Sequence, residues 1–421
     1  MHSLRSRSAR IRSATWLGVE IVPVLSEYES IFLHLTRSQA ESIQRTGFVD
    51  VSPAMGDRWR VTASSYVGSL VVDGVELLIR PKINPENLFL LLEPGLPPHS
   101  WRKEAFDYDL TSDLLPSVIA FFARAVETTL GRGVLRSYQA RTDPLVALRG
   151  RPDVVGQFKR AGVLTPVACA YDEFSEDVPE NRVLRAAIRL ALRVPRVDPS
   201  ERQRLMRQLV VLEGVEDVTV RAEDVDSIQF TRLNQHYAPA IALARMVLSN
   251  LTLTDVRGAT SASSFMVDMN DLFQRFVTER LRRELRGRLD VIDEPTVHLG
   301  EGRQVSMQPD LVFRQPGGGA SCYVGDVKYK LTADARGRSG DYYQLLAYTT
   351  ALDLPEGVLI YCRRKGDSKQ STMTVRNAGK RLVLRSLDLT GSPEQVEHEI
   401  AALADAISGT SSTVWTARDE G

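Results

Sequence analysis

Short runs of alternating apolar and polar residues fill the chain from about residue 16 to residue 91. Tyr66-Val-Gly-Ser-Leu-Val-Val and Val75-Glu-Leu-Leu-Ile-Arg are examples. A period of two sends successive side chains to opposite faces, and intervening Gly and Pro residues break the runs into strands. A β-rich N-terminal domain over 16–91 is expected, closed by Arg80-Pro81-Lys82-Ile83. The Pro-rich segment 94–100 reads as a linker. Over 101–257 the spacing becomes helical. Thr111-Ser-Asp precedes an apolar run to about Leu130, and Asn181–Val194 puts Leu184, Ala187, Ile188, Ala191 and Leu192 on one side. Further helices are expected near 199–212 and 233–251, and the small polar run from Gly258 to Ser264 marks a boundary. The last domain, 264–410, alternates helix and strand. A helix over 265–286 carries the stripe Phe265, Met269, Leu272, Phe273 and Phe276, with strands near 289–298, 304–314 and 321–329. The last two join through Gly317-Gly318-Gly319. A helix at 341–352, a strand at 358–362 and a helix near 393–408 complete a multidomain α+β chain without internal repeats.

Composition adds little to this picture. The 421 residues are 43% hydrophobic and 25% charged, ordinary for a globular protein large enough for two or three domains. Formal net charge is zero, yet Arg136, Arg141, Arg149, Arg151, Lys159 and Arg160 face only Asp143 and Asp153 over 136–160. Arg275, Arg280, Arg282, Arg283, Arg286 and Arg288 form a second basic stretch. Either can meet phosphates, and either can equally be a solvated helix face. The three cysteines are far apart, with no CxxC pair, which fits a reducing cytoplasm. No apolar run approaches a membrane span, and the basic, Ser-rich start lacks a signal core and reads as a disordered leader.

The chemistry concentrates in Gln308-Pro309-Asp310, Gly325-Asp326-Val327-Lys328 and Asp341-Tyr-Tyr-Gln344-Leu-Leu-Ala-Tyr348. Phosphodiester hydrolysis calls for a divalent metal that activates water and neutralises developing charge. Mg²⁺ takes oxygen ligands and keeps several waters, so the carboxylates of Asp310 and Asp326 suffice to hold it. On a strand Asp326 and Lys328 share a face, which brings an ammonium to the attacking water and the developing charge. Gln344 and Tyr348, four apart on a helix, share a face and are placed to bind a phosphate or position Lys328. The pattern alone is weak, because Pro152-Asp153 and Asp367-Ser-Lys369 repeat its pieces elsewhere. Context separates them: Asp326 lies in an apolar alternating run, Asp367 in a polar, basic loop. The bland alternative is a surface salt bridge between Asp310 and Lys328 on adjacent strands.

These residues resemble the PD-(D/E)xK nuclease superfamily, in the branch where a Gln-x-x-x-Tyr helix follows the lysine. The likeness extends to the McrC family. Asn270-Asp-Leu-Phe-Gln-Arg-Phe-Val resembles its helix before the nuclease strands, and Tyr171 to Arg182 its middle motif. Leu148-Arg-Gly150-Arg151 resembles the preceding motif, and Tyr66-Val-Gly68 with Arg80-Pro81-Lys82-Ile83 the N-terminal pattern. Gln274 departs from the family, whose members usually carry Glu there, so that any metal-assisting role is lost or moves to Asp271 or Glu279. The resemblance implies a Mg²⁺-dependent endonuclease subunit of a modification-dependent restriction system acting on modified DNA. Its expected partner is a McrB-like AAA+ GTPase hexamer, into which it inserts and whose hydrolysis it stimulates. No G-x-x-x-x-G-K-[ST] loop is present, so nucleotide hydrolysis falls to another chain. The N-terminal and middle regions are then the ring-facing part.

On that reading Asp310, Asp326 and Lys328 are catalytic, Asp310 and Asp326 the metal ligands, and Gln344 and Tyr348 auxiliary. Arg151, Asn181 and Arg182 are candidate partner contacts, the last two with helix initiation and surface pairing as the alternative. Arg275, Arg282 and Arg283 are candidate DNA contacts. Asp172, Glu173, Glu176, Asp177 and Glu180 are explained by the N-terminus of the following helix without a metal. Among the six histidines, His298 lies nearest the chemistry and reads as an ordinary satisfied histidine. One nuclease domain cuts one strand, so two copies are expected to meet for a double-strand break. The competing readings are an adaptor that activates a ring NTPase without cutting, and a stand-alone repair nuclease.

Overall fold

The computed structural model describes residues 22–92, 113–160, 162–163, 165–194, 197–254, 262–332, 339–363 and 370–419. The leader, the linker at 94–100, Thr111 and Ser112, most of the 258–264 boundary run and the Asp367-Ser-Lys369 repeat lie outside the described residues. Among those described, the N-terminal strands form two sheets. One runs in the order Val24–Ser26, Val75–Arg80, Tyr66–Val72, Ala262–Asp268 and Leu251–Thr254. The other orders Ser30–Leu33, Arg58–Ala63 and Val49–Ala54 as an antiparallel set. Leu25, Ile43, Val61, Leu70, Leu77 and Met266 fill the space between them. The helix Arg37–Arg45 closes this layer and begins with a reciprocal cap between Thr36 and Gln39.

The strand Ala262–Asp268 corrects the helix expected from Phe265, which begins only at Met269. Phe265-Met-Val is a continuous apolar run, and periodicity cannot distinguish a strand buried on both faces from a helix. Here Phe265 and Val267 enter the largest core while Met266 enters the N-terminal one. Asp268 ends the strand, and its Oδ1 accepts from the Asn270 amide at 2.9 Å and from Ser65 Oγ at 3.1 Å. Gly68 permits this sheet. Its φ is +131°, and a Cβ there would lie 2.0 Å from the Phe265 carbonyl oxygen. Gly68 is therefore a strand residue whose backbone lies in close contact with the neighbouring strand.

The helices Leu114–Leu130, Pro179–Leu192, Pro199–Val211 and Ala238–Asn250 match the helical pattern of the middle region. Asp113 caps the first of them through the Leu115 amide. The pattern did not reveal an arm between the first two, a sheet of Ser137–Leu145, Val167–Ser175 and Arg151–Pro152 with the short helix Val154–Phe158. Gly150, at φ +69°, stands where a Cβ would meet the Ala170 carbonyl at 2.4 Å. The third region holds a six-stranded sheet in the order Asp290–Asp293, Leu311–Arg314, Ser321–Thr332, Glu356–Arg363, Arg381–Asp388 and Gln370–Thr374. Helix Ser339–Ala351 covers one face, and Met269–Glu284 with Pro393–Asp419 the other. The single strands expected at 289–298 and 304–314 are each broken. Glu294, at φ +45°, precedes Pro295, and Pro309 lacks a ladder donor. The outer pieces, Val297–Leu299 and Val305–Met307, pair in a separate ribbon. The strands Gln370–Thr374 and Arg381–Asp388 were not anticipated.

The regions share one core. Leu88, Phe89, Phe122, Leu184, Phe273, Tyr329 and Ile400 belong to a single buried cluster. The buried Asn87 donates to the carbonyls of Leu389 (2.7 Å) and Gly391 (2.8 Å), tying the helix Pro85–Leu92 to the loop before the helix Pro393–Asp419. Gly68→Ala should destabilise the protein by roughly 3 kcal/mol, from a strained φ plus a backbone clash. Urea unfolding monitored by far-UV circular dichroism measures this, and wild-type stability would contradict the packing described for that strand.

Candidate active site

Asp310 follows the Pro309 break and opens the strand Leu311–Arg314, beside the central strand Ser321–Thr332. Its Oδ2 accepts from the Val327 amide at 2.7 Å, which fixes the carboxylate over the middle of that strand. Lys328 Nζ lies 2.9 Å from Asp326 Oδ2 and 3.6 Å from Asp310 Oδ2. The expected alternation holds: Val327 and Tyr329 enter the core on the opposite side. An Asp310–Lys328 ion pair does form, as the bland reading supposed, but both side chains are mostly buried and share a second carboxylate.

Asp326 has no exposed surface, and neither of its oxygens has a well-directed hydrogen-bond donor. Burial pushes its carboxyl pKa up, the Asp310 charge pushes in the same direction, and Lys328 opposes both without cancelling them. Burial disfavours the Lys328 ammonium, but the two carboxylates outweigh it and hold its pKa above the usual lysine value. The site is thus short of positive charge. A small dication between Asp310 and Asp326 would relieve this, and their oxygen donors fit Mg²⁺ with water completing its shell. Among the described residues no three acidic, His or Cys side chains gather as a metal-holding group.

Gln344 and Tyr348 do share a helix face, and they bond to each other before anything else. Gln344 Nε2 donates to Tyr348 Oη at 2.6 Å, and that hydroxyl donates to the Gln308 carbonyl at 3.0 Å. The pair therefore holds the turn that presents Asp310. Burial raises the Tyr348 pKa, with the charges of Asp326 and Asp310 adding to the effect.

Gln274 Nε2 donates to Glu294 Oε1 at 2.8 Å, and the Glu294 amide donates to the Asp310 carbonyl at 3.2 Å. The carboxylate that meets Gln274 is therefore Glu294, which sequence reasoning missed. Asp271 and Glu279, the substitutes considered, pair with Arg275 and Arg282. Arg282 also approaches Asp293, and Arg283 pairs with Glu284 and Glu397. All three candidate DNA-contacting arginines are thus engaged within the chain.

In the middle region Asn181 is fully buried, its amide donating to the carbonyls of Leu135 (2.9 Å) and Glu176 (2.7 Å). Arg182 grips Asp177 with two bonds, at 2.8 and 2.6 Å, and also reaches Glu216. Arg151 is exposed on the arm and forms no ion pair with the described residues. In the acidic cluster only Glu180 occupies the first helical turn. Glu173, Glu176 and Asp177 meet Arg141 and Arg149, Arg136, and Arg182, so ion pairing replaces the helix-terminus explanation for these three. His298 lies in the outer ribbon.

Residues 61–362 match the family described as McrBC 5-methylcytosine restriction system component. The chain belongs to this family. Its fold is similar to a chain in the refined half-complex from a tetradecameric assembly of Thermococcus gammatolerans McrB AAA+ hexamers with bound McrC. That likeness has a TM-score of 0.51 at 20% identity, covering 91% of this chain and 100% of the other. A chain of the Thermococcus gammatolerans McrBC complex aligns with a TM-score of 0.43 at 23% identity, over 63% and 88% of the two chains. No curated protein matches the chain. No described helix is long and apolar enough to cross a membrane. The segment Arg80-Pro81-Lys82-Ile83 has a structural role. The Lys82 amide donates to Glu27 Oε2 at 3.2 Å, and the same oxygen accepts from Tyr329 Oη at 3.2 Å.

Glu27 is fully buried, and desolvation raises its pKa from 4.5 to about 7 against the opposing bonds from Lys82 and Tyr329. The folded state therefore holds this proton more tightly than the unfolded one. Below pH 4.5 the group is neutral in both states and its ionisation adds no cost; stability falls as pH rises to about 7, then levels off. Glu27→Gln should match wild type near pH 4 and become the more stable by about 3 kcal/mol above pH 7.5. Urea denaturation across this range provides the check, and a pH-independent difference would remove Glu27 as the source.

Proposed function

We propose that this chain is the DNA endonuclease subunit of a McrBC-like, modification-dependent restriction system. The observation that carries the reading is the fully buried Asp326 beside Asp310, with Lys328 Nζ 2.9 Å from the one and 3.6 Å from the other on one face of a central strand. Family membership supplies the context. When bound at the two carboxylates, Mg²⁺ supplies charge neutralisation at the phosphate and a more acidic water. In this reading Lys328 donates to a non-bridging phosphate oxygen as negative charge builds there, and its raised pKa keeps it protonated for that purpose. Gln344 and Tyr348 keep Asp310 in place through the Gln308 carbonyl. Arg275, Arg282 and Arg283 contact DNA only by exchanging their carboxylate partners for phosphates, so their contribution is smaller than that of free arginines.

The partner is a McrB-like AAA+ GTPase ring, and the arm of the middle region is the surface that meets it. Val146, Leu148, Val154, Val155 and Phe158 are all more than half exposed there, joined by the tilted pair Tyr138 and Phe174. Apolar exposure of this extent on one projection is what a protein contact requires. Arg151 stands among these residues without an ion pair to any described residue. Asn181 and Arg182 support the base of the arm rather than touching the ring. Cutting both strands takes two nuclease domains brought together. Gln274, in place of an acidic residue, is the observation that favours the second reading, an adaptor that stimulates the ring without cutting.

Cleavage of methylated plasmid should require Mg²⁺, the ring partner and GTP, stop on chelation, and fall at least about a hundredfold in Asp326→Asn. Stimulated GTP hydrolysis should persist in that variant. Stimulation by a wild-type chain that never cuts would establish the adaptor instead. A Val146→Ser, Phe158→Ser double variant should lose most of the stimulation, about tenfold or more in ring affinity. Titration of the ring's GTPase with the variant reads this out, and an unchanged half-maximal concentration would exclude the arm.

A further inference from the structure

The N-terminal sheet reaches the candidate active site through one buried carboxyl group. Glu27 follows the strand Val24–Ser26, and its amide donates to the Arg80 carbonyl at 3.0 Å. Its Oε2 takes one bond from the Lys82 amide and one from Tyr329 Oη, while Oε1 is buried with no donor. Tyr329 is 1% exposed and immediately follows Lys328, on the opposite face of the strand. Its ring leans on Phe273 at 5.8 Å between centroids. A carboxyl group at this depth destabilises the fold relative to a well-packed apolar side chain. What it provides in return is direction, because two donors from regions far apart in sequence must converge on one oxygen.

We propose that Glu27 is a positioning residue for Lys328. By anchoring the Tyr329 hydroxyl to the Arg80–Ile83 turn, it sets the height and register of the strand that presents the lysine to Asp310 and Asp326. The role of Lys328 in this statement rests on the nuclease reading. Adjacent residues on a strand are about 3.3 Å apart, so a small displacement of Tyr329 moves Lys328 with it. A shift near 1 Å at a reacting group can cost about a hundredfold in rate. The groups facing Glu27 are Lys82 and Tyr329, with Tyr28 and the Cys362 thiol next to the Tyr329 hydroxyl. The Lys82 ammonium lies 5.3 Å from the centre of the Tyr28 ring. The same link gives the N-terminal sheet a mechanical connection to the lysine.

The experiment compares Glu27→Met, Tyr329→Phe, the double variant and Glu27→Gln in the full chain with the ring partner, GTP, Mg²⁺ and methylated plasmid. Each single change should slow single-turnover cleavage roughly tenfold, with KM for DNA and stimulation of GTP hydrolysis unchanged. The double variant should be no slower than the worse single one, because both remove the same bond. Glu27→Gln keeps a carbonyl acceptor and should restore the rate. Wild-type cleavage in folded Glu27→Met, or multiplying effects in the double variant, would overturn the proposal. Should Glu27→Met fail to fold, Tyr329→Phe decides, and cleavage at the wild-type rate in it overturns the proposal equally. A wild-type chain that never cuts removes the nuclease reading instead. Hydrogen exchange at the Val327, Lys328 and Tyr329 amides then decides the link: faster exchange in Tyr329→Phe upholds it, unchanged exchange ends it.

Discussion

Asp326 is a carboxylate with no access to solvent, placed on the central strand of the C-terminal sheet beside a second carboxylate and one ammonium. Two like charges in a poorly solvated place resist ionising together, and a single lysine is insufficient to offset both. Much of the surrounding structure acts to hold this unfavourable grouping together. The Val327 amide pins Asp310, the Tyr348 hydroxyl holds the Gln308 carbonyl, and Gln344 orients Tyr348. Strain of this kind persists only where the neighbouring fold over-determines it, and here the break at Pro309 and the left-handed Glu294 meet across adjacent strands.

The three regions are not independent bodies. Ala262–Asp268 follows the middle region in sequence yet completes the first sheet, and the helix that comes directly after it covers the last sheet. Asn87 joins the helix Pro85–Leu92 to the loop before the final helix, and Glu27 joins the first sheet to the strand that carries Asp326. The N-terminal sheet and the strand of Asp326 therefore meet through packed core. Packed interiors pass strain because they lack free volume.

Charge follows a related logic. The arginines that looked like phosphate contacts in the sequence are mostly consumed by carboxylates of the same chain, which is how a chain with 53 basic and 53 acidic residues can contain such dense basic stretches. Exposed pairs of this kind add little stability. Arg151, on the apolar arm, forms no ion pair with the described residues.

Much of the site was readable locally. The alternation around Asp326 and Lys328, the four-residue spacing of Gln344 and Tyr348, and the Pro before Asp310 each depend on backbone geometry over a few residues, which the chain carries in its own order. The strands of the first sheet and the helices of the middle region follow for the same reason. Phe265-Met-Val was misread because an apolar run is identical in a buried strand and a buried helix until the neighbouring sheet is known. Glu27 meeting Tyr329 across 302 residues, Gln274 meeting Glu294, and the pairing of each arginine were decided only by tertiary structure. No local signal marks such contacts, since which donor faces which carboxylate depends on how distant segments close around a common core.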